Sequence, residues 1–270
     1  NERTSLSLVA GFARRSDDVK RLPADLMSTG DRLMFGSVTK MYTAASVLRL
    51  VEQGLVSLDD QAMAHIDPIL RAQNASSMVE LFGPSAVNVT VRHLLSMRSG
   101  IYDFDDDATR RFCNTHPSID VSPIDDLWFA SSRGRKQPLY PAGSEQDYSS
   151  TNFELLGLLL MRHAGMQAWD QFDQRNAAFG PRTSGLHARF PKTRFALRGR
   201  CSSWTRVHGY EPDDAFGLGL DTAFMSCTNG FTCGNVAAPA SEVADFVHAL
   251  YAEPGAVLSP ASMAEMRRIW

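Results

Sequence analysis

Between residues 5 and 54 the hydrophobic period of the chain changes. The stretch "SLSLVAGFA", Ser5 to Ala13, alternates apolar residues and predicts a strand, and Arg32 to Phe35 predicts a shorter extended piece. From there Val38, Met41, Ala45, Leu48 and Val51 recur at helical spacing, and Gly54 stands where a helix C-terminus is capped. A second amphipathic helix is predicted over 241–253, "SEVADFVHALYAE", with Pro239 and Ser241 near its start. Both helices carry apolar faces that require cover, and two strands are few for that task.

The head of the first helix reads "FGSVTKMYTAAS", which puts Ser37 and Lys40 three residues apart and on one face of the first turn. A serine hydroxyl is a weak nucleophile until a neighbour takes its proton, so a lysine held neutral beside it makes chemical sense. The positive end of the helix dipole and partial burial both predict a depressed lysine pKa. An ordinary helix start is the other reading of the pair, because S-x-x-K occurs about once by chance in a chain of this size.

Composition narrows the classes. In 270 residues, 44% of them hydrophobic, there is enough apolar material for a real core, and a formal net charge of -3 with no long run of Lys or Arg gives nucleic acid no foothold. No apolar stretch approaches the roughly 20 residues of a membrane span. Cys113, Cys201, Cys227 and Cys233 lack paired C-x-x-C spacing, so neither a metal nor a cofactor is expected. Their even number, together with the sequons Asn74-Ala-Ser76 and Asn88-Val-Thr90, leans toward an extracytoplasmic, oxidising compartment. The short separation of Cys227 and Cys233 across a turn-forming Asn229-Gly230 predicts a local disulfide. His93 and His163 lie on apolar helices and read as structural histidines, and Asp103, Asp105, Asp106 and Asp107 read as a solvated acidic loop.

Longer blocks change the weight of the Ser37–Lys40 pair. "LMFGSVTKMYTAASVLRLVEQGLVSLDD" resembles the start of the serine beta-lactamase and penicillin-binding protein superfamily, in particular its beta-lactamase-related, class C-like branch. "VTVRHLLSMRSGIYDF" at 89–104, "PAGSEQDYSSTNFELLG" at 141–157 and "VAAPASEVADF" at 236–246 are similar to later blocks of the same branch, in the same order. The resemblance implies an α/β (α+β) fold, a beta-lactamase-like antiparallel sheet flanked by helices with a largely helical inserted subdomain. It divides the chain into 1–58, carrying S-x-x-K, 59–204, the helical part carrying the tyrosine, and 205–270, the return to the α/β domain.

The same resemblance implies Ser37 as acylated nucleophile, Lys40 as its proton partner and Tyr148 as the phenol that shuttles a proton between serine, lysine and leaving group. The backbone N–H of Ser37 is implied as one oxyanion donor. Two departures qualify this. The family's asparagine two residues after the tyrosine is Ser150 here, while the register Ser150-Thr151-Asn152 reads as the S-x-N of other branches and would put Asn152 in the substrate-binding position instead. Neither K-T-G nor H-x-G follows the 241–253 helix, where the family's third motif falls, which implies a sheet that is incomplete within these residues.

The expected function is a beta-lactamase-like serine hydrolase of peptidase or esterase type, acting through an acyl-enzyme on a small-molecule or peptide amide or ester. The alternative is a catalytically silent relative serving as a structural or assembly subunit of an oligomer or larger complex.

Overall fold

The structure, a computed structural model, describes residues 6–14, 26–211, 220–227 and 230–269. Its helices are α1 (Thr39–Glu52), α2 (Ala62–Ala72), α3 (Met78–Phe82), α4 (Val91–Leu95), α5 (Asp107–Thr115) and α6 (Pro123–Arg133), then α7 (Thr151–His163), α8 (Gln174–Phe179), α9 (Gly185–Arg189), α10 (Phe231–Gly234), α11 (Ala240–Ala252) and α12 (Pro260–Ile269). The strands are short: β1 (Leu33–Met34), β2 (Arg194–Phe195), β3 (Tyr210–Glu211), β4 (Leu220–Asp221) and β5 (Val236–Ala238). β5 lies between β1 and β2, antiparallel to both, with Leu33 opposite Ala238 and Phe195 opposite Val236. β3 and β4 form a separate two-stranded ribbon. This is the mixed, helix-rich α/β arrangement with a small antiparallel sheet that the sequence predicts.

Two helices form the centre. Residues 151–161 of α7 are all buried, and so are most of residues 39–48 of α1, the pattern of helices surrounded on every side. For α1, the cover that its apolar face requires comes chiefly from other helices. Its neighbours are mainly α7, α8 and α10, and Tyr42 stacks on Phe246 of α11 with ring centroids 4.0 Å apart. Phe179, Phe190 and Phe195 complete this aromatic nest.

Hydrogen bonds from threonines fix the head of α1. Thr39 Oγ1 donates to Gly36 O at 2.7 Å and accepts from Val236 N at 2.8 Å, so the helix start is tied to the central strand. Thr43 Oγ1 donates to Thr232 O at 2.7 Å, and Thr232 Oγ1 donates to Phe153 O at 2.6 Å, which links α1, α10 and α7 through one residue. The approach is close enough that a Cβ on Gly157 would collide with Thr232 Oγ1 and crowd the Phe231 ring. Gly36 at φ 52° and Gly54 at φ 68° take left-handed conformations at the two ends of α1, where a residue with a Cβ is strained.

The predicted strand from Ser5 to Ala13 is not formed. Ser5 lies outside the described residues; Leu6 to Ala10 have no regular structure, and Phe12 forms an isolated bridge to Leu26. Leu6 and Leu8 are 81% and 84% exposed. Alternation makes a strand only where a neighbouring strand supplies hydrogen bonds and a buried face, and among the described residues no named strand pairs with this segment.

The histidines behave as structural groups. His93 sits in the capping box of α4, its Nδ1 accepting from Thr90 N, and His163 Nε2 pairs with His65 Nδ1 at 3.1 Å. Asp106 caps α5 by accepting from Thr109 N, but Asp103, taken from the sequence as solvated, is partly buried against the start of α7.

Candidate active site

Ser37 stands at the mouth of the α1 N-terminus with Tyr148 facing it across the groove. Ser37 Oγ and Tyr148 Oη are 2.6 Å apart, joined by a hydrogen bond that either hydroxyl can donate. Lys40 Nζ donates to Ser37 Oγ at 3.2 Å, to Ser150 Oγ at 3.2 Å and to Cys233 O at 3.0 Å, which uses all three ammonium protons. The same Nζ lies 5.0 Å from the centre of the Tyr148 ring. Lys40 is buried, Tyr148 is 53% exposed and Ser37 is exposed, so the trio runs from the interior out to solvent.

The fold brings Ser37, Lys40, Tyr148 and Ser150 together and turns Asn152 away. Ser150 precedes α7, is 3% exposed, and is oriented from behind: its backbone N–H donates to Asp103 Oδ1 at 3.0 Å. Asn152 is 1% exposed and spends its side chain inside the core, accepting from Ser99 Oγ at 2.5 Å and donating to Met97 Sδ at 3.5 Å. The two registers left open by the sequence are thus placed differently, with Ser150 on the lysine and Asn152 on a loop anchor.

Three of these groups line a cavity of about 460 Å³. Ser37, Lys40 and Ser150 form its floor, Phe104 and Met225 supply apolar wall, and the charged pair Asp105–Arg110, bonded at 2.9 Å, stands at one side. A larger cavity of about 880 Å³ opens elsewhere, between α1, α7, α8 and α9, and holds none of the site residues.

The disulfide in the structure joins Cys201 to Cys227, and both half-cystines line the smaller cavity. The predicted Cys227–Cys233 pairing is therefore wrong. The chain brings 201 and 227 together by backbone bonds from Cys201 N to Met225 O and from Cys227 N to Gly199 O, while Cys233 is a buried thiol on α10 beneath Lys40. Short sequence separation is a weaker constraint than which side chains share a wall.

The expectation of a depressed lysine is overturned as well. Burial is the largest influence on Lys40 and does work against the ammonium, but Cys233, Tyr148 and Glu154 together outweigh it and hold the group above its ordinary value. Glu154 was not anticipated. It lies one turn beyond Ser150 on α7, fully buried, and burial pushes it up to about 8. Its signal in the sequence is a single carboxylate inside the apolar run "NFELLGLLLM", where a carboxylate is costly to bury.

A serine at a helix head, hydrogen-bonded to a lysine one turn on and to a tyrosine from the loop before α7, is an arrangement suited to acyl transfer. The sequence profile of the family described as Beta-lactamase matches residues 5–268, and the chain belongs to that family. The fold is similar to that of a D-stereospecific amidohydrolase from Streptomyces sp., with 22% identity, a TM-score of 0.69, and coverage of 87% of this chain and 65% of that one. It is similar to D-amino acid amidase from Ochrobactrum anthropi SV3, at 20% identity, TM-score 0.65, covering 95% and 63%. A penicillin binding protein from Bacillus halodurans gives 18% identity, TM-score 0.64, and 94% and 67% coverage. The chain spans 65% and 63% of the length of the first two.

Proposed function

We propose that this chain is a serine hydrolase that opens amides or esters through an acyl-enzyme on Ser37. The observation that carries the reading is the Ser37 Oγ contact with both Tyr148 Oη at 2.6 Å and Lys40 Nζ at 3.2 Å on the floor of a cavity. At rest Lys40 donates to Ser37 Oγ, so the competent site is one proton short. Once Lys40 and Tyr148 have together lost that proton, the amine or the phenolate takes the proton of Ser37 as Oγ attacks the carbonyl carbon. The carbonyl oxygen becomes an oxyanion beside the Ser37 N–H at the positive end of α1. As the tetrahedral intermediate collapses, the leaving amine or alcohol takes its proton from Tyr148, whose phenol is hydrogen-bonded to Ser37 Oγ. Water then attacks the Ser37 ester by the reverse proton route and frees the acid.

Two of the similar structures are enzymes of D-configured amides by their names, and a cavity of about 460 Å³ suits a substrate of that size. We take a small amino-acid amide or ester as the substrate class. The test is initial-rate hydrolysis of D- and L-phenylalanine amide and of an activated acetate ester by the intact natural protein. Saturable turnover of one of them is expected; no turnover of any by protein with a cooperative melt would contradict the reading.

We also place maturation in an oxidising compartment, on the Cys201–Cys227 bridge and on the exposure of Asn74 and Asn88 at the two sequons. Peptide mapping of native protein without reductant is expected to recover the 201 and 227 peptides linked. Finding both as thiols would remove the placement.

A further inference from the structure

Glu154 is hard to account for as packing. It faces the same way as Ser150, one helical turn earlier on α7, and its N–H donates to Ser150 O at 3.2 Å. It is 0% exposed, and neither carboxyl oxygen has a hydrogen-bond partner. Asp126 on α6 is in the same condition, fully buried with both oxygens unpartnered. Unpaired buried carboxyls cost stability, and an apolar residue of similar volume is the cheaper filling.

The titratable groups that act on Glu154 are Lys40 from α1, Cys233 from α10, Asp103 from the loop before α5, and Asp126 from α6. Asp126 in turn faces Asp125, Asp105 and Asp103. Lys40 is the cation of this set. The thiol of Cys233 is close enough to favour an ionised Glu154, yet no well-directed hydrogen bond joins them.

We propose that Glu154 is a positioning residue that acts through Lys40: the buried carboxyl behind the lysine sets how tightly Lys40 holds the proton it must shed before Ser37 can attack. The proposal rests on the Ser37–Lys40 reading above. The electrostatics run in the required direction. Burial works against the Lys40 ammonium, and Cys233, Tyr148 and Glu154 favour it. Cys233 is fully buried with its thiol pushed well above its usual range, so among the groups that favour the ammonium Glu154 is the carboxyl; Asp103 is the other carboxyl whose charge acts between itself and Lys40. Burial pushes the ionisation of Glu154 up to about 8, so below that pH Glu154 adds no charge beside the ammonium; above it, the carboxylate favours the ammonium. Lys40 titrates above that point, so in the natural protein it loses its proton against an ionised Glu154.

The test is the titration of Lys40 followed by NMR of protein carrying 13C at lysine Cε, with the Lys40 signal assigned by Lys40→Arg. In Glu154→Gln the Lys40 midpoint is expected to fall by about one pH unit or more, the size of an opposite-charge effect at close range. The limb of kcat/KM that reports loss of the site's proton is expected to move to lower pH with it. A Lys40 midpoint within about 0.3 unit of the natural protein overturns the proposal. This readout needs no activity, so an inactive protein would count against the hydrolase reading while the lysine titration still decides the role of Glu154. Glu154→Met, which removes the carboxyl and keeps the volume, replaces the glutamine variant should that one not fold. In the unaltered protein the Lys40 signal is expected to show a separate small step near pH 8, as Glu154 ionises; its absence would also overturn the proposal.

Discussion

Replacing Ser37 by alanine is expected to abolish turnover, with kcat/KM falling by roughly 10⁴-fold or more, as happens when the nucleophile of a serine hydrolase is removed. The substitution deletes one oxygen from an exposed position. It breaks the contacts to Tyr148 Oη and Lys40 Nζ, but Lys40 keeps Ser150 Oγ and Cys233 O. The backbone bonds that build the helix head, Thr39 N to Gly36 O and Lys40 N to Ser37 O, do not involve the side chain. The melting temperature is therefore expected to change little while the chemistry disappears. A variant retaining more than about a tenth of natural kcat/KM would show that another group attacks the substrate.

Lys40→Met is the second large effect, with an expected loss of about 10²- to 10⁴-fold, the usual worth of a positioned proton acceptor. Here stability also falls. Lys40 is 4% exposed, and its removal leaves Cys233 O and Ser150 Oγ without their donor, at about 1–3 kcal/mol for a stranded buried acceptor. Lys40→Arg is not expected to restore activity, because a guanidinium stays charged and cannot take the serine proton. Measuring kcat/KM beside the thermal midpoint separates the two losses: the arginine variant tests the chemistry with the positive charge retained. Full activity in either variant would place the proton acceptor elsewhere.

Much of this site was legible in the chain because its parts are local. Ser37 and Lys40 are one helical turn apart, so helix periodicity alone puts them together, and Gly54 marks where that helix stops. Tyr148 lies 111 residues from Ser37, and no spacing rule links them; the block around it did so by resemblance. The same block left Ser150 and Asn152 as rivals, with the flanking "PAG" and "ELLG" favouring the tyrosine register. Packing separates them, because α7 points residue 150 at the lysine and residue 152 at Ser99.

The readings that failed are those where the partner is distant. The 5–13 alternation describes a face and says nothing of the neighbour that must pair with it. Cys201 and Cys227 are 26 residues apart and meet only because the 199–201 and 225–227 segments hydrogen-bond to one another. The depressed lysine was inferred from burial and the helix dipole; burial does work that way, but Cys233, Tyr148 and Glu154, which oppose it, come from other parts of the chain. Long-range electrostatics cannot be summed before the chain is folded.

The claim on which the account turns is that Ser37 Oγ takes the acyl group. It is tested most directly by treating the intact natural protein with a fluorophosphonate or an activated ester, then locating the added mass by peptide fragmentation. The account predicts one stoichiometric adduct, on Ser37, lost in Ser37→Ala and slowed in Lys40→Met. Folded protein that gains no adduct, or that is labelled equally with Ser37 replaced, would contradict it.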